Sequence, residues 1–259
     1  EEIMGVSCYA EYFNDKRTDF LFVDTMAPEV GSPSVTVNAG ELENSGIEFA
    51  LNYDVLKSKT GLNLSVYGNV TNIKYTINEL ANGETEIFPS GTFESMIHRV
   101  GETPYSFYMV RYYGVDPDTG QAIYLDKDGN QTTTYSAEDM VLLEGKSPLP
   151  TLYGGFGLNA EYKGFNLRAD FNYQSGAYMY NNTYFDLMNL APGATNNHHV
   201  DAFNYWQNPG DTNVWQAPSA EGFRYSDLFL EKSDYVLFRS LELGYSFDKK
   251  LFERLPISG

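Results

Sequence analysis

Cysteine is nearly missing from this chain. Cys8 stands alone among 259 residues, so no intrachain disulfide can form. It falls inside an alternating pattern, where a small apolar residue on a strand face is its expected role. Positive charge is scarce too. Lys and Arg total 17 against 35 Asp and Glu, a formal net charge of -18. Nucleic-acid phosphates require a basic surface, so this balance excludes a nucleic-acid partner. Long apolar runs are missing as well. Nothing approaches the roughly 20 residues of a membrane-crossing helix, which excludes a helical membrane protein and leaves strands open. No signal-peptide pattern opens the sequence. Glu1-Glu2 runs straight into strand pattern, and Pro256 to Gly259 stops where another strand would begin. A piece of a longer protein is therefore expected.

What the chain has in abundance is aromatic and strand-like. Tyr 21, Phe 17 and Gly 23 suit an all-β protein. The clearest stretch runs from Gly155 to Gln174. Phe156, Leu158, Ala160 and Tyr162 alternate with Gly157, Asn159 and Glu161. After Lys163-Gly164, Phe165, Leu167, Ala169, Phe171 and Tyr173 alternate with Asn166, Arg168, Asp170, Asn172 and Gln174. Period two on both arms around an X-Gly turn predicts a hairpin with one apolar and one polar face. Arg168 is within reach of Glu161 and Asp170 for a charge ladder.

A second hairpin is predicted from Gly46 to Thr71. Ile47, Phe49, Leu51, Tyr53 and Val55 share a face with Leu62, Leu64, Val66 and Val70. Met4 to Tyr12 is a further strand, extending in one reading through Asp19 to Phe22, and Met26 to Gly40 is a loop. Tyr105 to Tyr113 and Ala122 to Leu125 are strand-like, and Tyr235 to Phe247 is the last strand. There Leu237, Leu241, Leu243 and Tyr245 take the apolar face, and Arg239 breaks the pattern. A position near the strand's outer end or a bulge would accommodate it.

Two environments suit such hairpins. In a soluble sandwich the apolar face is core. In an outer-membrane barrel it meets lipid, and the polar face lines the lumen. The arms match the roughly 9–11 residues of a tilted membrane strand. Connections alternate between short (56–61, 163–164, 248–256) and long (about 73–100, 126–150 and 176–232). Short turns on one rim and long loops on the other favour the barrel.

Residues with chemical potential are few. Asp126, Asp128 and Asn130, with Glu138 or Asp139, offer oxygen ligands for Ca²⁺. Gly129 comes too early for an EF-hand loop, so a polar turn is the plainer reading and no cofactor is expected. His198-His199 with Asp201 lacks the spacing of a zinc site. No two carboxylates are marked as a glycosidase pair, so no enzyme is expected. The 176–232 loop interleaves Tyr178, Tyr180, Tyr184, Phe185, Tyr205, Trp206 and Trp215 with asparagines. Flat rings plus amides suit a sugar ring. Packing of the loop against itself or a partner is the other use of the same residues.

The order of these segments resembles one family. Asn44-Ser45-Gly46-Ile47-Glu48 resembles the N-x-G-I-E entry to a strand in TonB-dependent transporters. Val100-Gly101-Glu102-Thr103-Pro104 followed by Gly114-Val115-Asp116-Pro117-Asp118-Thr119-Gly120 is similar to a region of the SusC/RagA-like branch. So are Asp126 to Asn130, Gly145 to Pro148, Gly154-Gly155, Tyr162-Lys163-Gly164-Phe165 and Leu243-Gly244-Tyr245.

The resemblance implies the C-terminal part of a 22-stranded barrel in the outer membrane of a Gram-negative bacterium. Such barrels surround an N-terminal plug and import oligosaccharides or peptides with TonB energy. The implied partners are a SusD-like surface lipoprotein, the rest of the barrel and its plug, TonB and membrane lipid. The sequence departs from the family in having no plug, no TonB box and no final strand ending in an aromatic. The alternative is a soluble all-β carbohydrate-binding module. The tentative substrate contacts are Tyr178, Tyr180, Tyr184, Tyr205, Trp206 and Trp215.

Overall fold

Lys163 and Gly164 both take positive φ, 47° and 89°. That geometry gives a two-residue turn the twist of its flanking strands. The register follows from it. Phe156 faces Phe171, Leu158 faces Ala169, Ala160 faces Leu167 and Tyr162 faces Phe165. The two phenylalanine rings stack at 5.0 Å.

The computed structural model describes residues 5–18, 21–25, 34–38, 40–58, 61–89, 95–190, 197–219 and 222–247. Its first strands are β1 (Val6–Thr18), β2 (Leu21–Thr25), β3 (Ser34–Asn38), β4 (Glu41–Leu56) and β5 (Asn63–Glu79). Short strands follow: β6 (Glu86–Ile87), β7 (Met96–Arg99), β8 (Ser106–Met109), β9 (Arg111–Val115), β10 (Ala122–Leu125), β11 (Gln131–Thr132) and β12 (Val141–Leu142). Then come β13 (Leu152–Tyr162), β14 (Phe165–Ser175), β15 (Tyr178–Tyr180), helix α1 (Asn182–Met188), β16 (Leu230–Lys232) and β17 (Tyr235–Tyr245). No helix among the described residues is long and apolar enough to cross a membrane.

Six strands form one sheet in the order β1-β4-β5-β13-β14-β17, every pair antiparallel. Residues 57–62 and 163–164 turn the chain on one rim. Residues 19–40, 80–151 and 176–234 connect it on the other. The class is all-β, and among the described residues the sheet is an open wall segment that does not close on itself.

Several boundaries differ from the periodicity. β5 runs on to Glu79, because Ile73 and Ile77 keep a buried face after the alternation weakens. The loop expected from residue 73 therefore starts at residue 80. Ser34–Asn38, within the expected 26–40 loop, is a strand paired with β2. A register shift near the end of β4 puts Leu56, not Val55, opposite Leu64. The expected short connection at 248–256 lies outside the described residues.

The apolar face of the wall forms a belt from the Tyr162–Phe165–Tyr245 level up to the Leu152–Ile47–Tyr12 level. Eleven residues of β13 span it. At about 3.4 Å per residue and a tilt near 45°, such a strand rises roughly 25 Å. The belt is uncovered: Leu241 is 60% and Leu243 75% exposed. Its lower edge is aromatic, with Phe165 and Tyr245 rings 4.6 Å apart and Phe247 4.9 Å beyond.

Above Ile47 both faces change character. On the apolar side Ser45, Glu43 and Glu41 take over from Ile47. Asn14 Nδ2 donates to Glu43 at 2.8 Å and Lys16 Nζ to Glu41 at 3.1 Å. On the other side, polar Glu48 and Thr71 give way to Leu42 and Ile77, which pair across the strands. These two pack with Leu80, Ala81 and Ile87 in a buried cluster.

Beyond this rim the described residues of the two longest connections pack together. The strands expected at 105–113 and 122–125 exist, but they join small sheets there and not the wall. Val110 bridges Ser226, and Tyr112 N–H donates to Asp227 at 2.7 Å. Buried Phe107, Met109 and Leu143 share the half-buried Tyr180 with the cluster of Phe185, Met188, Ala202, Phe223 and Phe229.

Candidate functional site

The polar face of the wall carries a charged network. Asp170 accepts from Ser240 Oγ at 2.8 Å and from the Tyr67 hydroxyl, and it pairs with Arg168 Nε at 3.0 Å. The Arg168 guanidinium lies 5.8 Å from the centre of the Tyr67 ring. The expected ladder thus closes on Asp170.

Arg239 joins this face through a bulge. Asp170 pairs with Ser240 and Phe171 with Phe238, so Arg239 is the extra residue between them. A bulge re-aims a side chain in this way. Arg239 Nη1 donates to the Asn172 amide oxygen at 3.0 Å, with that amide turned oxygen-first. The bulge also corrects the face assignment before it. Val236 and Phe238 take the apolar face, and Leu237 pairs with Asn172 on the polar one. Arg168, Asp170, Asn172 and Arg239 line a concavity of about 510 Å³ with Tyr67 and Asn69.

The loop body accounts for the tentative substrate residues individually. Tyr178 lies in β15 with the Lys146 ammonium 5.7 Å from its ring centre. Tyr180 joins the two buried clusters, and burial pushes its hydroxyl well above the usual range. The Tyr184 hydroxyl donates to Asp201 at 2.7 Å and is pushed up to about 12, mainly by burial. Trp215 stacks on Phe229 at 6.0 Å and bridges Tyr205 through the backbone. Tyr180, Tyr184 and Trp215 therefore meet in one aromatic cluster.

Trp206 goes elsewhere. Its indole N–H donates to Pro117 O at 2.8 Å, inside the Gly114–Gly120 turn. Gly120 sits at φ +71°, and a Cβ there would lie 2.5 Å from the Trp206 ring. The G-V-D-P-D-T-G motif thus works as a seat for a tryptophan from the other loop.

Asp126 is committed to its own turn. It accepts the backbone N–H of Asp128 at 2.9 Å and of Asn130 at 2.8 Å, and Asn130 Nδ2 at 3.0 Å. These bonds, the Asn130 side chain first, hold its carboxyl below the usual range. Among the described residues no three His, Cys, Asp or Glu side chains cluster as metal ligands. His199 Nδ1 accepts the Asp201 N–H at 3.2 Å as a helix cap.

One cavity has no counterpart in the motifs. About 380 Å³ opens between β10 and residues 216–219 and 222–224, lined among the described residues by Gln121, Tyr124, Thr133, Tyr135, Gln216 and Arg224 with smaller residues. Ala217 N–H donates to Gly120 O at 2.8 Å, and the Tyr135 hydroxyl to Tyr225 O at 2.9 Å, so both loops hold its walls. The Tyr124 ring stands edge-on to Tyr135 at 5.4 Å, and the Arg224 guanidinium is 5.8 Å from the Tyr135 ring centre. Gln216 is 8% exposed. Its Nε2 donates to Gly222 O at 2.9 Å, and its Oε1 has no partner among the described residues. These residues lie some ninety positions apart in sequence, and no spacing rule links them.

The fold defines a wall segment of a large antiparallel barrel whose long loops share one rim. No family model matches the chain. Among curated proteins, TonB-dependent receptor P3 of Formosa agariphila is 28% identical over 257 residues, covering 91% of this chain and 25% of its own length. TonB-dependent receptor SusC of Bacteroides thetaiotaomicron is 27% identical over 248 residues, 90% of this chain and 23% of its own. The solved RagAB peptide transporter matches with a TM-score of 0.86 at 27% identity, over 96% of this chain and 28% of that one. The chain spans about a quarter of the length of the curated relatives it matches. Over nearly all of its length the chain is similar to one segment of the barrels of SusC/RagA-like TonB-dependent transporters.

Proposed function

We propose that this segment supplies wall and outer-rim loops to an outer-membrane importer driven through TonB, one that carries oligosaccharides or peptides beneath a SusD-like surface lipoprotein. The observation that carries the reading is the exchange of polarity at the Ile47 level. Below it the uncovered face is apolar and the inner face polar. Above it the outer face carries Glu41, Glu43 and Lys16, and the inner face packs on loop residues. Lipid outside with an aqueous lumen inside requires the first arrangement. Water outside with a folded cap inside requires the second. On this reading residues 80–151 and 176–234 are extracellular, and the 163–164 turn is periplasmic.

The segment's own residues bind and position, and no bond-breaking chemistry is assigned to them. Cysteine labelling of the full-length transporter in intact cells tests the topology. An impermeant maleimide should label a cysteine at Val200 or Phe203, which are 72% and 68% exposed. It should miss one at Leu243 or Lys163. Labelling at Lys163 in intact cells would sink the orientation. Uptake of labelled oligosaccharide or peptide that persists after the proton gradient is collapsed would sink the TonB-driven reading.

A further inference from the structure

We propose that Arg239 and the cup around it on the polar face of the wall form a subsite for a carboxylate group of the carried molecule, so that the importer favours acidic cargo. This rests on the importer reading above and names a place and a chemical class within it.

Two glycines supply the space and the bulge supplies the charge. Gly155 and Gly157 take successive polar-face positions on β13, opposite Asn172 and Asp170. A Cβ at Gly157 would lie 2.5 Å from the Tyr67 hydroxyl, so Tyr67 crosses β13 over this glycine to reach Asp170. A Cβ at Gly155 would lie 3.2 Å from the Asn172 amide, and its absence opens the floor of the 510 Å³ concavity. Ligand sites run from about 300 to 1,000 Å³. The charges in the cup do not balance. Asp170 is the one carboxylate among its lining residues, and Arg168, Tyr67 and Ser240 already hold it. Arg239 pairs with no carboxylate among the described residues, and its bond there goes to the neutral Asn172 amide. A guanidinium has five N–H donors in a fork that matches a carboxylate with two parallel bonds. Within a chain of net charge -18, the cup thus holds two cations to one anion. The concavity toward the short-turn rim is the reverse, since Asp54, Glu161 and Glu242 share it with Lys57 and Arg168. Asn69 adds an amide to the cup. Leu237, 54% exposed and paired with Asn172 on the same face, adds apolar surface for the carbon skeleton that carries the acid.

The test measures energy-dependent uptake by the full-length transporter in cells. Cargo is offered in matched pairs: peptides rich in Glu against the same peptides with Gln and an amidated end, and uronate oligosaccharides against their neutral counterparts. Arg239→Gln removes the charge. Asn172→Asp keeps Arg239 and gives it a carboxylate of its own, which closes the site. Arg239→Lys keeps the charge without the fork. The heat-modifiable band on gels checks that each barrel assembles. The expected result is a KM for the acidic member of one pair that rises roughly tenfold in Arg239→Gln and in Asn172→Asp. The neutral member should not change, and Arg239→Lys should restore part of the loss. The pair that responds tells a peptide carboxylate from a uronate. Equal changes for acidic and neutral cargo, or no change for either, overturn the subsite and leave the importer reading standing. A rise in ion conductance of the reconstituted Arg239→Gln transporter, with its cargo preference unaltered, also overturns it, because Arg239 then holds a resident part of the transporter. No energy-dependent uptake of any cargo overturns the importer reading and the subsite with it.

Discussion

The wall and the loop body solve opposite problems with the same residue types. In the wall, phenylalanine, leucine and tyrosine point away from the protein: Phe49, Phe156, Phe165, Phe238, Leu241 and Leu243 are all exposed. In the loop body phenylalanine and other large apolar side chains point inward. Phe107, Phe229, Ile97, Met109 and Met188 are each at most 1% exposed. Among the described residues, Ile73, Ile77 and Ala169 are the buried apolar side chains that belong to the wall. A soluble protein rarely leaves so large an apolar surface uncovered. The wall is therefore held by its ladders and by a solvent other than water. The loop body is held by the ordinary hydrophobic effect. Two regions built on different forces should fail separately.

The sharpest break is Phe229→Ala. Trp215, Phe185, Phe223 and Tyr184 all contact this ring. Truncating a buried phenylalanine costs about 3–5 kcal/mol. Limited proteolysis of the intact transporter should cut within 80–151 and 176–234, while the heat-modifiable barrel band persists on gels. Loss of that band would mean that the two regions fold as one cooperative unit.

Next comes a pair of neighbours on one strand. Leu158→Arg puts a charge in the middle of the belt, at a cost of about 2–4 kcal/mol on lipid. Asn159→Arg places the same charge on the polar face and should change assembled barrel yield little. Equal losses at the two positions would contradict the assignment of faces.

Gly120→Ala strikes the seam between the two loops. The added Cβ must displace the Trp206 ring, and φ +71° disfavours any residue with one. A loss of about 1–3 kcal/mol in the loop body is expected. A red shift of tryptophan fluorescence should accompany it, with barrel assembly unaffected.

The smallest effect is a pH dependence confined to the loop body. His98 is 1% exposed, and burial pushes it down to about 4. Its unfolded value is near 6.5, so the unfolded state binds the proton first as pH falls. The contribution is complete above about 6.5 and is lost as pH drops toward about 4. Protease susceptibility of the 80–151 region should rise over that window, and rise less in His98→Gln.

Period two and an X-Gly turn were enough to set the central hairpin to the residue, because a one-step slip would expose every apolar side chain on the wrong face. The alternation of short and long connections likewise carried the barrel class. The sequence left three things to the tertiary structure. Arg239 looked like a fault on the apolar face, and its bulge became definite only when Ser240 paired with Asp170 and Phe238 with Phe171. Tyr180, Tyr184 and Trp215 read equally as a sugar platform or as packing. Their shared cluster depends on chain segments about thirty residues apart meeting, which local composition does not encode. The cavity of Gln121, Tyr135 and Gln216 joins two loops across the whole central hairpin. Local periodicity is dictated by backbone geometry, so it is written in the sequence residue by residue. Contacts between distant loops depend on which surfaces remain after the wall has formed, and folding alone decides that.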